Sequence, residues 1–274
     1  MLATSLLLTR ILYALTSFLY CVALIPFFEF LYGQNSVCKV ETGILPFISS
    51  NYQITLFNWL NLSSSVAFGI VAVNSALLLL GISLRVTTLL QHILLSSFVV
   101  SNCQFGTAGD GLLLSISIIM LFVPQLKRSV KKDSVQADEV RARQIILCKT
   151  LTALLCIVYA ASLIPRFTGQ YWLLGSAVWL SLADPIAGKF AQNFAQNPSI
   201  ISPLFVAVLT YLSMIYEILF IFLVWFRKYN KALVVFGILF HLCLHLYLYL
   251  GTFSLTVWIL LIASLGIIPQ KKPE

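Results

Sequence analysis

The sequence predicts an all-α membrane protein, a polytopic bundle of about eight transmembrane helices. Three observations carry that fold class. Of the 274 residues, 60% are hydrophobic and only 9% are charged, against about 25% charged in an ordinary soluble domain. Mean hydropathy is +0.97. The apolar residues are gathered into runs of the length that spans a bilayer, with the charges between them. Roughly 20 apolar residues are needed per span, so such spans with short loops consume most of the chain and leave no room for a sizeable soluble domain.

The expected spans lie at 11–31, 63–82, 86–104, 110–125, 145–165, 203–226, 231–250 and 252–268. The first begins in a run that is apolar from Leu6 and includes Arg10. No A-x-A cleavage site follows it, so it is read as an uncleaved helix, with a removed signal peptide the weaker alternative. Turn residues separate later spans: "GISLR" at 81–85, "GTAGDG" at 106–111 and "FRKYNK" at 226–231. The most polar stretch, between spans four and five, is the loop 126–144, which includes Lys127, Arg128, Lys131, Lys132, Arg141 and Arg143. The positive-inside rule places it in the cytoplasm. Threading outward puts Arg10, Arg85, the Arg227–Lys231 turn and Lys271–Lys272 on the same side, with both termini cytoplasmic. The segments 32–62 and 166–202 then fall outside. Within the second, "WLLGSAVWLSLA" (172–183) is too short to span and suits one re-entrant or interfacial helix.

Net charge is +8. The basic residues sit in short loops, where they report orientation, and no basic patch is interleaved with aromatics, so nucleic acid is not an expected partner. The six cysteines have no zinc-type spacing. Cys38 and Cys103 would share the outer side, where a disulfide between them is one option.

Ionisable groups inside spans carry the functional signal, because each costs about 2.5–3.5 kcal/mol or more at the bilayer centre. Glu217 lies beyond the middle of span six. His241 and His245, four apart in span seven, share a helix face. His92 lies in span three. Glu217 with His241 and His245 would form a polar cluster that relays protons or binds a polar substrate group. The competing reading is interhelical hydrogen bonding that fixes packing. Glu217 and His241 are the candidates for any catalysis. Two histidines at i and i+4 are half a zinc site and no HExxH accompanies them, so no metal is expected. Arg166 and Asp110 end spans five and four on the outer side, and Asp184 follows in the outer segment. These could line an outward-facing cavity. Alternatively Arg166 snorkels at the interface and Asp110 caps its helix. No nucleophile elbow, phosphate loop or dinucleotide fingerprint is present, and the sequence names no cofactor.

The stretch "IVYAASLIPRFTGQYWLLGSAVW" (157–179) sets Tyr159, Arg166, Gly169, Trp172, Gly175 and Ala177 at fixed spacing. That order resembles the core motif of the horizontally transferred transmembrane (HTTM) domain, the membrane part of vitamin K-dependent gamma-carboxylases. "LLGISLR" (79–85), "GTAGDGLLLSISIIMLFVP" (106–124), "LTYLSMIYEILF" and "GILFHLCLHLYLYLGTFSL" are similar to further family segments, so the resemblance runs along nearly the whole chain. "LADPIAG" (182–188) and Cys38 look closest to the SdpB-like bacterial branch. The resemblance implies a single 1–274 HTTM-like domain in the plasma membrane that assists maturation of a secreted peptide toxin. The lipid bilayer, a small secreted peptide and a second maturation protein would be its partners. Arg166, Trp172, Tyr159, Asp110 and His245 become substrate-binding candidates. One departure matters: the family carries lysine, the implied catalytic base, where this chain has Arg166. Arginine stays protonated at any accessible pH and cannot abstract a proton in that way. The carboxylase's lumenal domain has no counterpart either, so vitamin K-dependent carboxylation is not expected. Arg166 is left as a binder of anions. A proton-coupled transporter or an immunity-type binding protein without chemistry is the alternative.

Overall fold

The computed structural model describes residues 2–24, 26, 64–101, 107–123, 135–183, 203–248 and 250–267. Among them the regular structure is helical and no strand occurs. The helices are α1 (Leu2–Leu24), α2 (Ser64–Leu80), α3 (Leu84–Ser101), α4 (Ala108–Met120), α5 (Val135–Thr168), α6 (Gln170–Leu173), α7 (Ala177–Ala183), α8 (Pro203–Leu223), α9 (Arg227–Leu248) and α10 (Thr252–Ser264). Each of the apolar segments expected from the sequence overlaps one of α1–α5 or α8–α10. Among the described residues four helices are long and apolar enough to cross a membrane: α1, α5, α8 and α9. The described part of the chain is therefore all-helical, with long apolar helices consistent with a membrane protein. Cys38, Cys103 and Asp184 lie outside the described residues.

The chain divides into two compact units, Leu7–Arg143 and Met1–Leu6 with Gln144–Glu274. In the first, α2, α3 and α4 pack in sequence order. The α2–α3 turn needs a left-handed residue, and Gly81 supplies it at φ +75°. The first span, expected to begin at residue 11, begins at Leu2, so Arg10 belongs to the interior of α1 and not to its flank. Its Nη2 donates to the Leu79 carbonyl at 3.3 Å, in the last turn of α2, where a cation meets the negative end of the helix dipole. Within the bundle, Asn74 Nδ2 donates to the Thr87 carbonyl at 3.0 Å and to Gln91 Oε1 at 2.7 Å, tying α2 to α3. His92 Nδ1 lies 2.7 Å from Ser117 Oγ and ties α3 to α4.

In the second unit, α8, α9 and α10 pack as neighbours and α7 lies against α8. Asn230 Nδ2 donates to the carbonyls of Val224 at 2.9 Å and Ser264 at 3.1 Å, linking α8, α9 and α10. Gly237 lets α9 come close: a Cβ there would collide with Tyr216 Oη and stand 3.0 Å from both Leu261 δ-carbons.

Two further expectations need correction. The segment expected as loop through residue 144 is helical from Val135, so α5 runs unbroken for 34 residues. Asp138 in its first turn suits the helix dipole, and Arg143 pairs with Glu139 four residues back at 2.5 Å. The second concerns 172–183. It is not one helix: α6 ends at Leu173, and Gly175 turns the chain at φ +72° before α7 begins. A side chain at Gly175 would meet Ala207 Cβ at 3.0 Å as well as adopt an unfavourable backbone.

Candidate functional site

Tyr159, Ser162 and Arg166 recur at i, i+3 and i+7 on one face of α5. That face meets α8 and α9. Arg166 Nη1 stands 2.8 Å from Glu217 Oε1 on α8. Nη1 makes no aligned hydrogen bond, so the contact is an ion pair held by charge and proximity. The other carboxylate oxygen, Oε2, accepts from Ser162 Oγ at 2.6 Å. The Glu217 side chain is only 4% exposed, whereas Arg166 keeps 19%. A buried carboxylate needs both a countercharge and hydrogen bonds, and Glu217 has them from one helix face.

The guanidinium is held from a second direction. Its Cζ lies 4.4 Å from the Trp172 ring centroid, a cation–π contact. The chain reaches that position through Gly169, where α5 ends and α6 starts; an added Cβ would stand 2.8 Å from the Pro165 carbonyl oxygen. The α6–α7 turn is fastened to α8. Thr210 Oγ1 donates to the Gly175 carbonyl at 3.1 Å, and Tyr211 Oη donates to the Leu173 carbonyl at 2.7 Å. Thr210 is seven residues into α8, which is about 10 Å along its axis at 1.5 Å per residue. The turn therefore packs along the flank of α8 and not beyond its end. Backbone carbonyls at that depth are satisfied by side-chain hydroxyls, as buried loops require.

One turn from Ser162, Tyr159 Oη lies 3.1 Å from His241 Nε2 on α9. Both residues are almost wholly buried, and their rings stack at 6.2 Å. Tyr216 and Phe220 pack edge-on against Tyr159 at 5.9 and 5.3 Å. His241 Nδ1 is buried without a hydrogen-bond partner.

The structure thus brings together Arg166, Trp172, Glu217, Tyr159 and His241. It divides the expected Glu217–His241 cluster into two pairs, Glu217 with Arg166 and His241 with Tyr159. His245 packs its ring 6.4 Å from Trp258 and takes no hydrogen bond or ion pair with Glu217. Asp110 belongs to the other unit. Its Oδ2 accepts the Thr107 N–H at 2.7 Å at the start of α4, the capping arrangement. Ser162 was missed in the sequence reading; its phase with Tyr159 and Arg166 was the available signal. Thr210 and Tyr211 were missed because nothing local marks a hydroxyl as the anchor for a distant turn.

Among the described residues no three His, Cys, Asp or Glu side chains gather as metal ligands would. The site is a partly exposed cation set against an aromatic ring and a buried carboxylate, beside a buried Tyr–His pair. Such an arrangement can hold an anionic group through free guanidinium hydrogens. Comparison with known protein families, with curated proteins and with solved structures gives no match.

Proposed function

We propose that this chain is a multi-pass bacterial plasma-membrane protein of the HTTM type that assists the maturation or export of a secreted peptide. Eight spans, cytoplasmic termini and an outward-facing polar cavity belong to this reading. The peptide would be received at Arg166, with Trp172 and Tyr159 as neighbours. The observation that carries it is the state of the guanidinium. Glu217 balances its charge and Trp172 covers one face, yet a fifth of the side chain remains exposed. A cation held rigidly and left partly open favours a carboxylate or phosphate arriving from outside, because little side-chain entropy remains to be lost. Proton abstraction at this position is not part of the proposal, since arginine does not give up its proton. Replacing Arg166 by Ala and by Lys, and measuring the mature secreted peptide by mass spectrometry, tests it. Loss of product with Ala and partial recovery with Lys support the reading; unchanged product from Arg166→Ala, with the protein present in the membrane, overturns it.

A second reading rests on the Tyr159–His241 pair. A buried imidazole bonded to a phenol, beside a buried carboxylate, suits proton-coupled transport without covalent chemistry. It predicts substrate flux in proteoliposomes that depends on a pH gradient and disappears in His241→Phe.

A further inference from the structure

The depth of the Arg166 guanidinium selects among anions. Helix α8 has 21 residues and is about 31 Å long at 1.5 Å per residue, close to the roughly 30 Å of hydrocarbon in a bilayer. Glu217 stands fourteen residues beyond Pro203, about 21 Å along that axis. The α6–α7 turn beside Trp172 is fastened at Thr210, about 10 Å along it. The guanidinium is held between Glu217 and Trp172, so it lies near the middle of α8 and not at its end.

One edge of the guanidinium is free. Nη1 faces Glu217 and is buried. Among the described residues no hydrogen-bond acceptor meets Nε or Nη2, and neither is a buried atom. That edge presents two parallel N–H donors, the fork that matches the two oxygens of one carboxylate. Glu217 need not be displaced. A guanidinium has five N–H donors, and Ser162 Oγ continues to donate to Glu217 Oε2. Past Arg166 the surface is apolar: Phe167, Tyr171, Leu173 and Leu174 are exposed by 54% to 66%.

Depth and surface together exclude the common membrane anions. Phospholipid phosphates lie outside the hydrocarbon and stop short of mid-helix. A fatty acid keeps its carboxylate at the surface and its tail inward; reaching Arg166 head first would turn the tail toward water. A peptide that enters C-terminus first brings its carboxylate as the leading group. Its last side chains then lie against Phe167, Tyr171, Leu173 and Leu174. On the peptide-receiving reading above, we propose that the ligand of Arg166 is the C-terminal carboxylate of a peptide whose last residues are apolar, bound by Nε and Nη2.

The full chain is reconstituted in phosphatidylcholine vesicles and offered a short apolar peptide. The peptide carries a diazirine-bearing leucine next to its last residue and is made as the C-terminal acid or the C-terminal amide. Labelling of the α5–α8 segment is mapped by mass spectrometry. The acid should label at about tenfold lower concentration than the amide, the worth of a charge-assisted hydrogen bond. Arg166→Gln/Glu217→Gln removes both charges together, so no lone charge is left buried; it should erase the preference for the acid. Arg166→Lys, which lacks the fork, should keep part of it. Circular dichroism and thermal unfolding confirm that the variants are folded. Adding phosphatidylglycerol or palmitate should leave the preference unchanged, and an acid peptide ending in serine and asparagine should label weakly. Equal labelling by acid and amide in the unaltered protein overturns the proposal. So does a preference that survives in Arg166→Gln/Glu217→Gln or disappears with either lipid. Equal labelling by the polar and apolar acids overturns it too, since the carboxylate would then arrive through water. The maturation role fails separately: normal secreted product from Arg166→Ala, alongside the acid preference in the unaltered protein, removes that role and keeps the ligand.

Discussion

Two buried polar sites, one in each unit, are handled in opposite ways. Around Asn74 and Gln91 it is neutral: two amides share one bond, and each keeps one unpaired atom. Around Glu217 it is charged, and the charge is answered from two sides by Arg166 and Ser162. A neutral amide can be left partly unsatisfied for about 1–3 kcal/mol, whereas an unpaired carboxylate costs several times more. The difference teaches where a helical bundle can tolerate change. An amide pair adapts; an ion pair with one buried member does not.

The sharpest way to break the contrast is to remove one half of the ion pair. Arg166→Ala leaves Glu217 buried without a countercharge and should lower stability by about 3–5 kcal/mol, read as a fall in thermal midpoint in detergent. The double variant Arg166→Met/Glu217→Met removes both charges and should return most of that loss. If the single variant is as stable as the unaltered protein, the pair is not the constraint described here. Next in size is Gly237→Ala, whose methyl group meets Tyr216 Oη. Overpacking of this kind costs about 1–3 kcal/mol, and adding Tyr216→Phe should recover part of it by removing the colliding oxygen. Absence of that rescue would place the fault elsewhere in α9. Asn74→Ala should cost less, about 0.6–2 kcal/mol for an interhelical hydrogen bond in a membrane bundle, and an equal cost for Arg166→Ala and Asn74→Ala would erase the comparison. Asp110→Ala removes a helix cap and should cost about 0.5–2 kcal/mol. The smallest effect is expected at Glu139→Ala, which loses an exposed pair worth about 0.3–0.5 kcal/mol; hydrogen exchange at the start of α5 would detect its fraying.

Particular residues show how far the sequence could be read. Glu217 and His241 stood out because an ionisable group in an apolar run has no cheap explanation, and both proved buried. Asp110 was legible as a cap from "GTAGDG" alone, since the cap is made within four residues. The partner of Glu217 was not legible. Arg166 lies at the end of α5 and Glu217 well into α8, and nothing local in either helix marks the two as partners. Nor could the sequence announce that Gly175 breaks the 172–183 run, because the turn is fixed by Thr210 and Tyr211, more than thirty positions away.

By itself the sequence determined the class of the protein. Apolar runs of spanning length cannot be hidden from water in so small a chain, and hydropathy together with turn residues therefore fixes helices and most of their limits. Tertiary structure alone decided which polar groups meet. The choice of Arg166 over His241 as the partner of Glu217, and of Gln91 as the partner of Asn74, depends on the depth and rotation of each helix against its neighbours. Those are set by close contacts such as Gly237 against Tyr216 and by hydroxyls that anchor distant carbonyls, and neither leaves a periodic mark along the chain.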